Sequence, residues 1–190
     1  VYVADEGRVH AVSLRTGGTR WHSDVVSPTT WDTLSAHDAN TVSPVVGPGG
    51  VVLVGTTDAL VALDPGDGSL RWRVGDLSKV SRPVVIDGTV FALGTENLVA
   101  VAPDGTEDWR RPATRETGPV PPAAGSGRIV YPGAGRVVAV DAEDGSRAWS
   151  RDRYVESHLV VADGTCFVGN YQGLHAIDCR NGTERWTFYR

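Results

Sequence analysis

The stretch ALDPGDGSLRW occupies residues 62–72, and close variants of it return four times along the 190-residue chain. All copies begin with an alanine and end with a tryptophan, with a glycine between them, and the third copy is one residue shorter than the others. The other four are AVSLRTGGTRW (11–21), AVAPDGTEDW (100–109), AVDAEDGSRAW (139–149) and AIDCRNGTERW (176–186). A string that recurs at this spacing indicates a repeat protein.

Valine-rich runs of four to six residues fill much of the chain between the copies, as in VVLVG (51–55), TVFALG (89–94) and RVVAVD (136–141). Each run is bounded by Gly, Pro, Asp or Asn, the pattern expected of short β-strands. No segment holds an apolar period of 3.6 residues over three turns. The sequence therefore predicts an all-β protein with almost no helix.

The repeat is about forty residues long and contains four strand-sized segments. A period of this length built from four strands is typical of a β-propeller with four-stranded antiparallel blades. Counting strands gives nineteen in about five blades, the first blade lacking one strand. We predict blades at about 1–25, 41–75, 80–112, 118–152 and 155–190, with a long inter-blade loop at 23–44.

The residue types of the repeat have physical roles in such a blade. The glycine fits a turn between the third and fourth strands that needs a positive φ angle. The aspartate before it (Asp64, Asp141 or Asp178) can accept hydrogen bonds from turn amides. The tryptophan is expected to pack on the neighbouring blade, with its indole N–H bonded to a backbone carbonyl. The predicted docking residues are Trp21, Trp72, Trp109, Trp149 and Trp186 with Gly17, Gly68, Gly105, Gly145 and Gly182.

At these residues the chain resembles the PQQ-like repeat propellers, whose tryptophan-docking motif is A-x-D-x-x-T-G-x-x-x-W. That family includes quinoprotein dehydrogenases, the BamB scaffold of the outer membrane and many extracytoplasmic proteins. The resemblance implies an extracytoplasmic location and a ring of seven or eight blades, so that this chain is expected to be one portion of a larger propeller. The alternative is edge-to-edge self-association of two chains, because an open sheet edge favours pairing.

The irregular stretch 23–44 contains Trp31, Asp32, His37 and Asp38. Propellers place ligand sites on loops at one face of the ring, so these four residues are candidates for a binding loop. The alternative is an insertion anchored by Trp31 that only covers part of a blade. Trp31 is expected to be more exposed than Trp72, Trp109 or Trp149, which are expected to be largely buried.

The two cysteines, Cys166 and Cys179, flank two predicted strands around a turn. They can face each other across a hairpin as a disulfide, or remain two free buried thiols. A disulfide would indicate an oxidising compartment. Two cysteines are too few for a paired CxxC zinc site.

Two broad classes of partner are disfavoured by composition. The net charge of −5 argues against general nucleic-acid binding, which needs a basic surface. No apolar run reaches the ~20 residues of a membrane-spanning helix.

His10 and His175 share a repeat column. In a closed ring of five blades they would be neighbours and could form half of a metal site, whereas in a portion of a larger ring they would lie far apart. Ordinary strand positions are the simpler interpretation of both histidines.

Three functions follow from the resemblance. The first is a non-catalytic scaffold that presents a loop face to a protein or a small extracellular ligand, with no cofactor. The second is part of a quinoprotein dehydrogenase with PQQ and Ca²⁺, which the absence of an adjacent cysteine pair in the sequence disfavours. The third is the sensor domain of a signalling protein such as a Ser/Thr kinase. The scaffold is the function that we predict.

Overall fold

The computed structural model describes residues 1–5, 7–24, 43–114, 120–156 and 159–190. Their secondary structure is β throughout, apart from one short 3-10 turn at Pro48–Gly50. The described strands form five separate antiparallel sheets, one of three strands and four of four. The prediction of an all-β chain with five propeller blades, the first lacking a strand, is confirmed.

In each sheet the strands follow chain order and neighbours are joined by hydrogen bonds. The first sheet consists of β1 (Tyr2–Asp5), β2 (Arg8–Val12) and β3 (Thr19–Ser23). The second consists of β4 (Val45–Val46), β5 (Val52–Gly55), β6 (Leu60–Leu63) and β7 (Leu70–Val74). The third consists of β8 (Val84–Ile86), β9 (Thr89–Leu93), β10 (Asn97–Val101) and β11 (Glu107–Pro112).

The last two sheets repeat this order. The fourth sheet consists of β12 (Ala123–Gly125), β13 (Arg128–Gly133), β14 (Arg136–Asp141) and β15 (Arg147–Arg151). The fifth consists of β16 (Val160–Ala162), β17 (Thr165–Asn170), β18 (Gly173–Asp178) and β19 (Glu184–Tyr189). The first strand of the fourth sheet, β12, lies beside both β8 and β16, so consecutive sheets meet along their first strands.

The core is divided among the sheets rather than gathered in one place. Four clusters of buried apolar side chains each lie between two consecutive sheets. In β5 and β6 both faces are buried, because one face packs on the first sheet and the other on the third. This explains the uninterrupted apolar runs, since a strand covered on both faces needs no polar alternation.

In all five sheets the repeat alanine lies on the strand before the last, directly opposite the repeat tryptophan on the last strand. The strand register shifts immediately after this alanine in every sheet, as in a β-bulge. A bulge at this point increases the local twist and carries the chain into the turn that holds the glycine. The number of blades in a complete ring stays a prediction, because five sheets do not test it.

Candidate functional site

The candidate site of this chain is the set of joints between consecutive sheets, where the repeat motif is concentrated. We number the joints in chain order, so that the first lies between the first and second sheets and the fourth between the fourth and fifth. At four joints the tryptophan of one sheet donates its indole N–H to a backbone carbonyl in the turn of the next sheet. The four bonds are Trp21 to Pro65 O at 2.9 Å, Trp72 to Pro103 O at 3.0 Å, Trp109 to Ala142 O at 3.2 Å and Trp149 to Cys179 O at 2.8 Å. A buried indole needs such a partner, because an unpaired N–H carries a desolvation cost.

The turn glycine lies against the face of the same docked ring. An ideal Cβ at Gly68 would stand 2.6 Å from Cε3 of Trp21, and one at Gly182 would stand 2.8 Å from Cδ2 of Trp149. Gly105 and Gly145 meet Trp72 and Trp109 in the same way. All four glycines have positive φ angles as well. Glycine is therefore required here both by the backbone conformation and by the close approach of the ring.

The aspartate of the turn shapes it from within, as the sequence predicts. Asp64 Oδ1 accepts a hydrogen bond from the Gly66 amide at 2.7 Å, and Asp141 and Asp178 make the corresponding bonds. The Arg71 side chain also donates to Asp64, and this bond, together with the Gly66 amide, lowers the pKa of the Asp64 carboxyl. Asp178 accepts a bond from Arg185, which lowers the pKa of its carboxyl in the same way.

At two of the joints the turn is also held by an arginine that the repeat pattern does not include. Two residues after the docked tryptophan, Arg111 donates from Nη2 to the Asp144 carbonyl at 2.6 Å, and Arg151 donates from Nε to the Gly182 carbonyl at 2.5 Å. Both carbonyls belong to the turn that holds the ring. The string W-x-R appears in the third and fourth copies only, so it does not stand out as part of the repeat.

The tryptophans differ in burial. Trp21, Trp109 and Trp149 are buried, whereas Trp72 is only partly buried, less than expected. Trp186 differs most, with 48% of its surface exposed. Among the described residues its ring has Phe167 as an aromatic neighbour, at 6.0 Å between centroids, and its indole N–H makes no hydrogen bond. Docking of Trp186 on a further turn stays a prediction, because no described sheet follows the fifth.

The first turn of the chain is the counterpart of this exposed ring. Gly17 has φ +70°, like its four relatives, but no described atom lies within 4 Å of where its Cβ would stand. The Ser13 and Gly18 backbones close the turn with the same pair of hydrogen bonds as the later turns. The first turn thus has the conformation of the four turns that hold a tryptophan ring, but no ring of the described residues lies on it.

Cys166 and Cys179 form a disulfide, with their Cα atoms 5.4 Å apart. The bond resolves the alternative between bridged and free thiols that the sequence left open. It links β17 to the turn after β18, within the buried cluster between the fourth and fifth sheets. Because the Cys179 carbonyl accepts the indole bond of Trp149, the disulfide also fixes the acceptor of the fourth joint.

The two histidines of the shared column are not brought together. His10 lies opposite His22 in the first sheet, with 6.1 Å between ring centroids. His175 is fully buried in the fifth sheet, where Nδ1 lies 3.0 Å from Thr187 Oγ1 and Nε2 lies 3.3 Å from Asn170 Oδ1. Burial lowers the pKa of His175, and the nearby Arg153 adds to this effect while Glu184 opposes it.

A cleft of about 720 Å³ lies at the third joint, between the third and fourth sheets. Its lining includes Tyr131, whose pKa is raised by burial, and the arginines Arg111, Arg136 and Arg147. Arg111 is held by its hydrogen bond to the Asp144 carbonyl, and Arg136 is held by an ion pair with Asp152. The lining of the cleft therefore combines apolar residues with basic ones.

The four residues of the predicted binding loop, Trp31, Asp32, His37 and Asp38, lie outside the described residues. Their role stays a prediction. In the part of the chain that the structure describes, no helix is long and apolar enough to cross a membrane.

Comparison with known proteins agrees with this geometry. The family described as "Outer membrane protein assembly factor BamB" matches residues 5–189. The chain belongs to this family. The BamB of Yersinia pestis is 31% identical to this chain. The match covers 98% of this chain and 53% of that relative. This chain thus spans about half the length of the BamB relative.

Two solved structures share the fold. The crystal structure of BamB from Moraxella catarrhalis superposes with a TM-score of 0.77 and 17% identity, over 98% of this chain and 56% of that one. A europium-containing methanol dehydrogenase superposes with a TM-score of 0.68 and 13% identity, over 100% of this chain and 48% of that one. At these identities the likeness concerns the propeller architecture alone.

Because a dehydrogenase shares the architecture, the fit of these residues to PQQ and Ca²⁺ is of interest. The family resemblance implies a disulfide between adjacent cysteines as the PQQ platform, whereas Cys166 and Cys179 are 13 residues apart and packed inside the core. Within the described ranges no three His, Cys, Asp or Glu side chains cluster closely enough to hold a metal ion. The described donor set does not fit the cofactor.

Proposed function

We propose that this chain is a non-catalytic propeller scaffold that binds a protein partner outside the cytoplasm, in the assembly of outer-membrane proteins. The observation that carries the proposal is its membership of the family named for that process, together with 31% identity to the Yersinia pestis BamB across almost the whole chain. The residues that repeat in the chain build joints between sheets rather than a reaction centre. A molecule whose recurring chemistry is structural suits a rigid platform.

One feature of the chain supports the location, and another offers a place for a partner. The disulfide of the fifth sheet is the kind of bond that persists in oxidising compartments such as the periplasm. The cleft of the third joint is where a partner segment would lie, because its lining arginines attract acidic side chains. The sensor-domain alternative stays a prediction, since no described residue bears on it.

The experiment uses the 190-residue chain exported to the periplasm of a bacterium that lacks its own BamB. We expect faster appearance of folded outer-membrane porins, measured by their heat-modifiable migration on gels. The matched control is Trp149→Ala, which removes the buried ring with the shortest indole bond and should abolish the effect. If the exported chain is folded and oxidised but porin folding stays at the rate of the deletion strain, the proposal fails.

A second arm addresses the dehydrogenase. PQQ is titrated with and without Ca²⁺, and its absorbance is followed. We expect no saturable Ca²⁺-dependent change. Saturable binding at micromolar PQQ would contradict the scaffold and restore a quinoprotein function.

A further inference from the structure

The third joint differs from its neighbours in how the connecting segment covers it. At the second joint Leu77 and Val80, which lie between β7 and β8, belong to the buried cluster. At the fourth joint Val155 and Leu159, between β15 and β16, do the same. Among the described residues between β11 and β12, Ala113 alone belongs to the buried cluster of the third joint. The cleft of about 720 Å³ lies at this less covered joint.

Two side chains of the fourth sheet are less completely covered than their counterparts in other sheets. Val138 is 8% exposed, whereas Val99 and His175, at the same repeat position, are 0% exposed. Tyr131 lies directly opposite Val138 and also lines the cleft. Its hydroxyl makes no hydrogen bond to a described residue, and the one enclosed side-chain atom without a partner in the described ranges is Arg128 Nε. The Tyr131 hydroxyl is therefore open to solvent in the cleft.

The charge two residues before the repeat tryptophan is reversed at the third joint. In the fifth sheet this residue is Glu184, which pairs with Arg153 of the connecting segment at 2.5 Å. In the third sheet it is Glu107, which pairs with Arg110 at 2.7 Å. In the fourth sheet it is Arg147. The second and fourth joints thus hold an internal ion pair where the third joint has a cation.

Arg147 has no anionic partner within the part of the chain that the structure describes. Ala113 stands where the fourth joint has Arg153, so neither half of that ion pair is kept. Arg147 makes no hydrogen bond or ion pair with a described residue, whereas the other two arginines of the cleft are each bonded. Its charge lies close enough to Tyr131 to lower the pKa of the phenol, against the larger effect of burial. An arginine and a phenol that both lack a partner thus meet in one cleft.

We propose that the cleft of the third joint binds an acidic side chain of a protein partner, with the carboxylate between the Arg147 guanidinium and the Tyr131 hydroxyl. For the kind of partner, this inference rests on the proposed scaffold function. The carboxylate supplies the negative charge that an internal glutamate supplies at the second and fourth joints. Both groups donate hydrogen bonds that a carboxylate strengthens by its charge. Val138 contacts an apolar residue next to the acidic one in the partner.

The test is an NMR titration of the purified 190-residue chain with the peptide acetyl-Leu-Glu-Leu-amide. We expect saturable shifts of the Arg147 Nε–H signal and of the Gly133 and Val138 amides, with half-saturation at about 1 mM peptide. The same peptide with Gln in place of Glu should bind about fivefold more weakly or less tightly still, because it lacks the charge. No shift of these signals at about 10 mM acidic peptide overturns the proposal.

Two substitutions in the cleft separate its donors. Arg147→Glu introduces the residue type that the third and fifth sheets carry at this position, so the fold is kept, and binding of the acidic peptide should be lost. Tyr131→Phe removes only the hydroxyl and should weaken binding about threefold to tenfold. The matched control is Arg20→Glu, the same charge reversal at an exposed arginine of the first sheet, which should bind like the unchanged chain. Unchanged binding by the Arg147→Glu chain overturns the proposal.

Other anions are tested as competing occupants. If acetate at the same concentration shifts the Arg147 signal as far as the acidic peptide does, the cleft is a small-anion site and the protein partner is overturned. If vesicles of phosphatidylglycerol bind the unchanged chain but not the Arg147→Glu chain, the ligand is a lipid headgroup and the proposal is overturned as well.

Porin folding distinguishes this inference from the scaffold function on which it rests. An exported chain that accelerates porin folding but binds no acidic peptide refutes the cleft and leaves the scaffold function standing. A chain that binds the peptide through Arg147 but leaves porin folding at the rate of the deletion strain refutes the scaffold function and supports the cleft.

Discussion

The fourth and fifth sheets carry the same motif, the same bulge and the same alanine–tryptophan pair, yet their tryptophans differ greatly in exposure. Trp149 is 8% exposed and bonded to a carbonyl, whereas Trp186 is 48% exposed. The difference lies across the joint, where Trp149 meets the turn of the next sheet and Trp186 meets no described sheet. Burial at these positions is therefore a property of the neighbouring sheet rather than of the sheet that carries the ring.

This comparison explains how a propeller of short strands is stabilised. A single four-stranded sheet cannot cover an indole, so each sheet depends on the next for its core. The hydrogen bond and the glycine contact add direction to that burial, because only one placement satisfies both. A repeated joint of this kind specifies the stacking of the sheets.

The largest expected effect breaks the comparison at its buried end. We expect Trp149→Ala to lower the free energy of unfolding by about 3–5 kcal/mol, because it leaves a cavity and removes the hydrogen-bond donor of the Cys179 carbonyl. Trp186→Ala should cost less than about 1 kcal/mol in dilute solution, since most surface substitutions do. Urea denaturation measures both. Equal losses for the two variants would show that the joint does not cause the difference.

The disulfide comes next, because it fixes the turn that receives Trp149. We expect Cys166→Ser combined with Cys179→Ser to cost about 3 kcal/mol, the value typical of a short closed loop. Urea titrations with and without a reductant measure this effect. The reductant should destabilise the unchanged chain and leave the double variant as it is. A double variant as stable as the oxidised chain would refute this role of the bond.

A smaller effect separates backbone strain from contact with the ring. Alanine at Gly182 and at Gly17 should each cost about 1–2 kcal/mol, because both glycines have positive φ. Gly182→Ala should lower the free energy of unfolding by a further amount of about 1–3 kcal/mol, because its Cβ would overlap the ring of Trp149. Thermal unfolding in dilute solution compares the two variants. If they are equally stable, the ring does not rest on the glycine.

The smallest effect concerns pH. His175 is buried in the fifth sheet at the column where Val61, Val99 and Val138 are buried in the second, third and fourth. Because burial lowers the pKa of His175 in the folded state, the unfolded chain binds a proton first as the pH falls. Stability should therefore fall as the pH drops below the ordinary histidine pKa of about 6.5.

The variant that tests this pH effect is His175→Gln. Its stability curve between pH 7 and pH 5 should be flatter than that of the unchanged chain. Glu184 lies nearby, and its bonds to Thr187 and Arg153 lower the pKa of its carboxyl. Its titration therefore reduces stability only as the pH falls below the ordinary pKa of a glutamate. Identical curves above pH 5 would contradict the role of His175.

The fold was predictable because its information is local and repeated. The alanine, aspartate, glycine and tryptophan of ALDPGDGSLRW each have one job within a few residues, and five copies made the period visible. The exposure of Trp186 was not predictable from its own copy, which looks like the others. It depends on which sheet lies beside it, and that is a non-local fact.

The site was predictable only in part. The turn aspartates could be assigned from their position, whereas Arg111 and Arg151 occur in two copies only and so carried no repeat signal. Whether Cys166 and Cys179 are bridged could be decided only from the distance between them in the fifth sheet. His10 and His175 share a column in the sequence, but their separation depends on how the sheets stack.

The most direct test of the central claim is hydrogen exchange of the indole N–H groups, followed by NMR in dilute solution. The claim is that each ring is held by the turn of the following sheet. The N–H groups of Trp21, Trp72, Trp109 and Trp149 should be protected and that of Trp186 should exchange much faster. A Trp149 indole that exchanges as fast as that of Trp186 would contradict the claim.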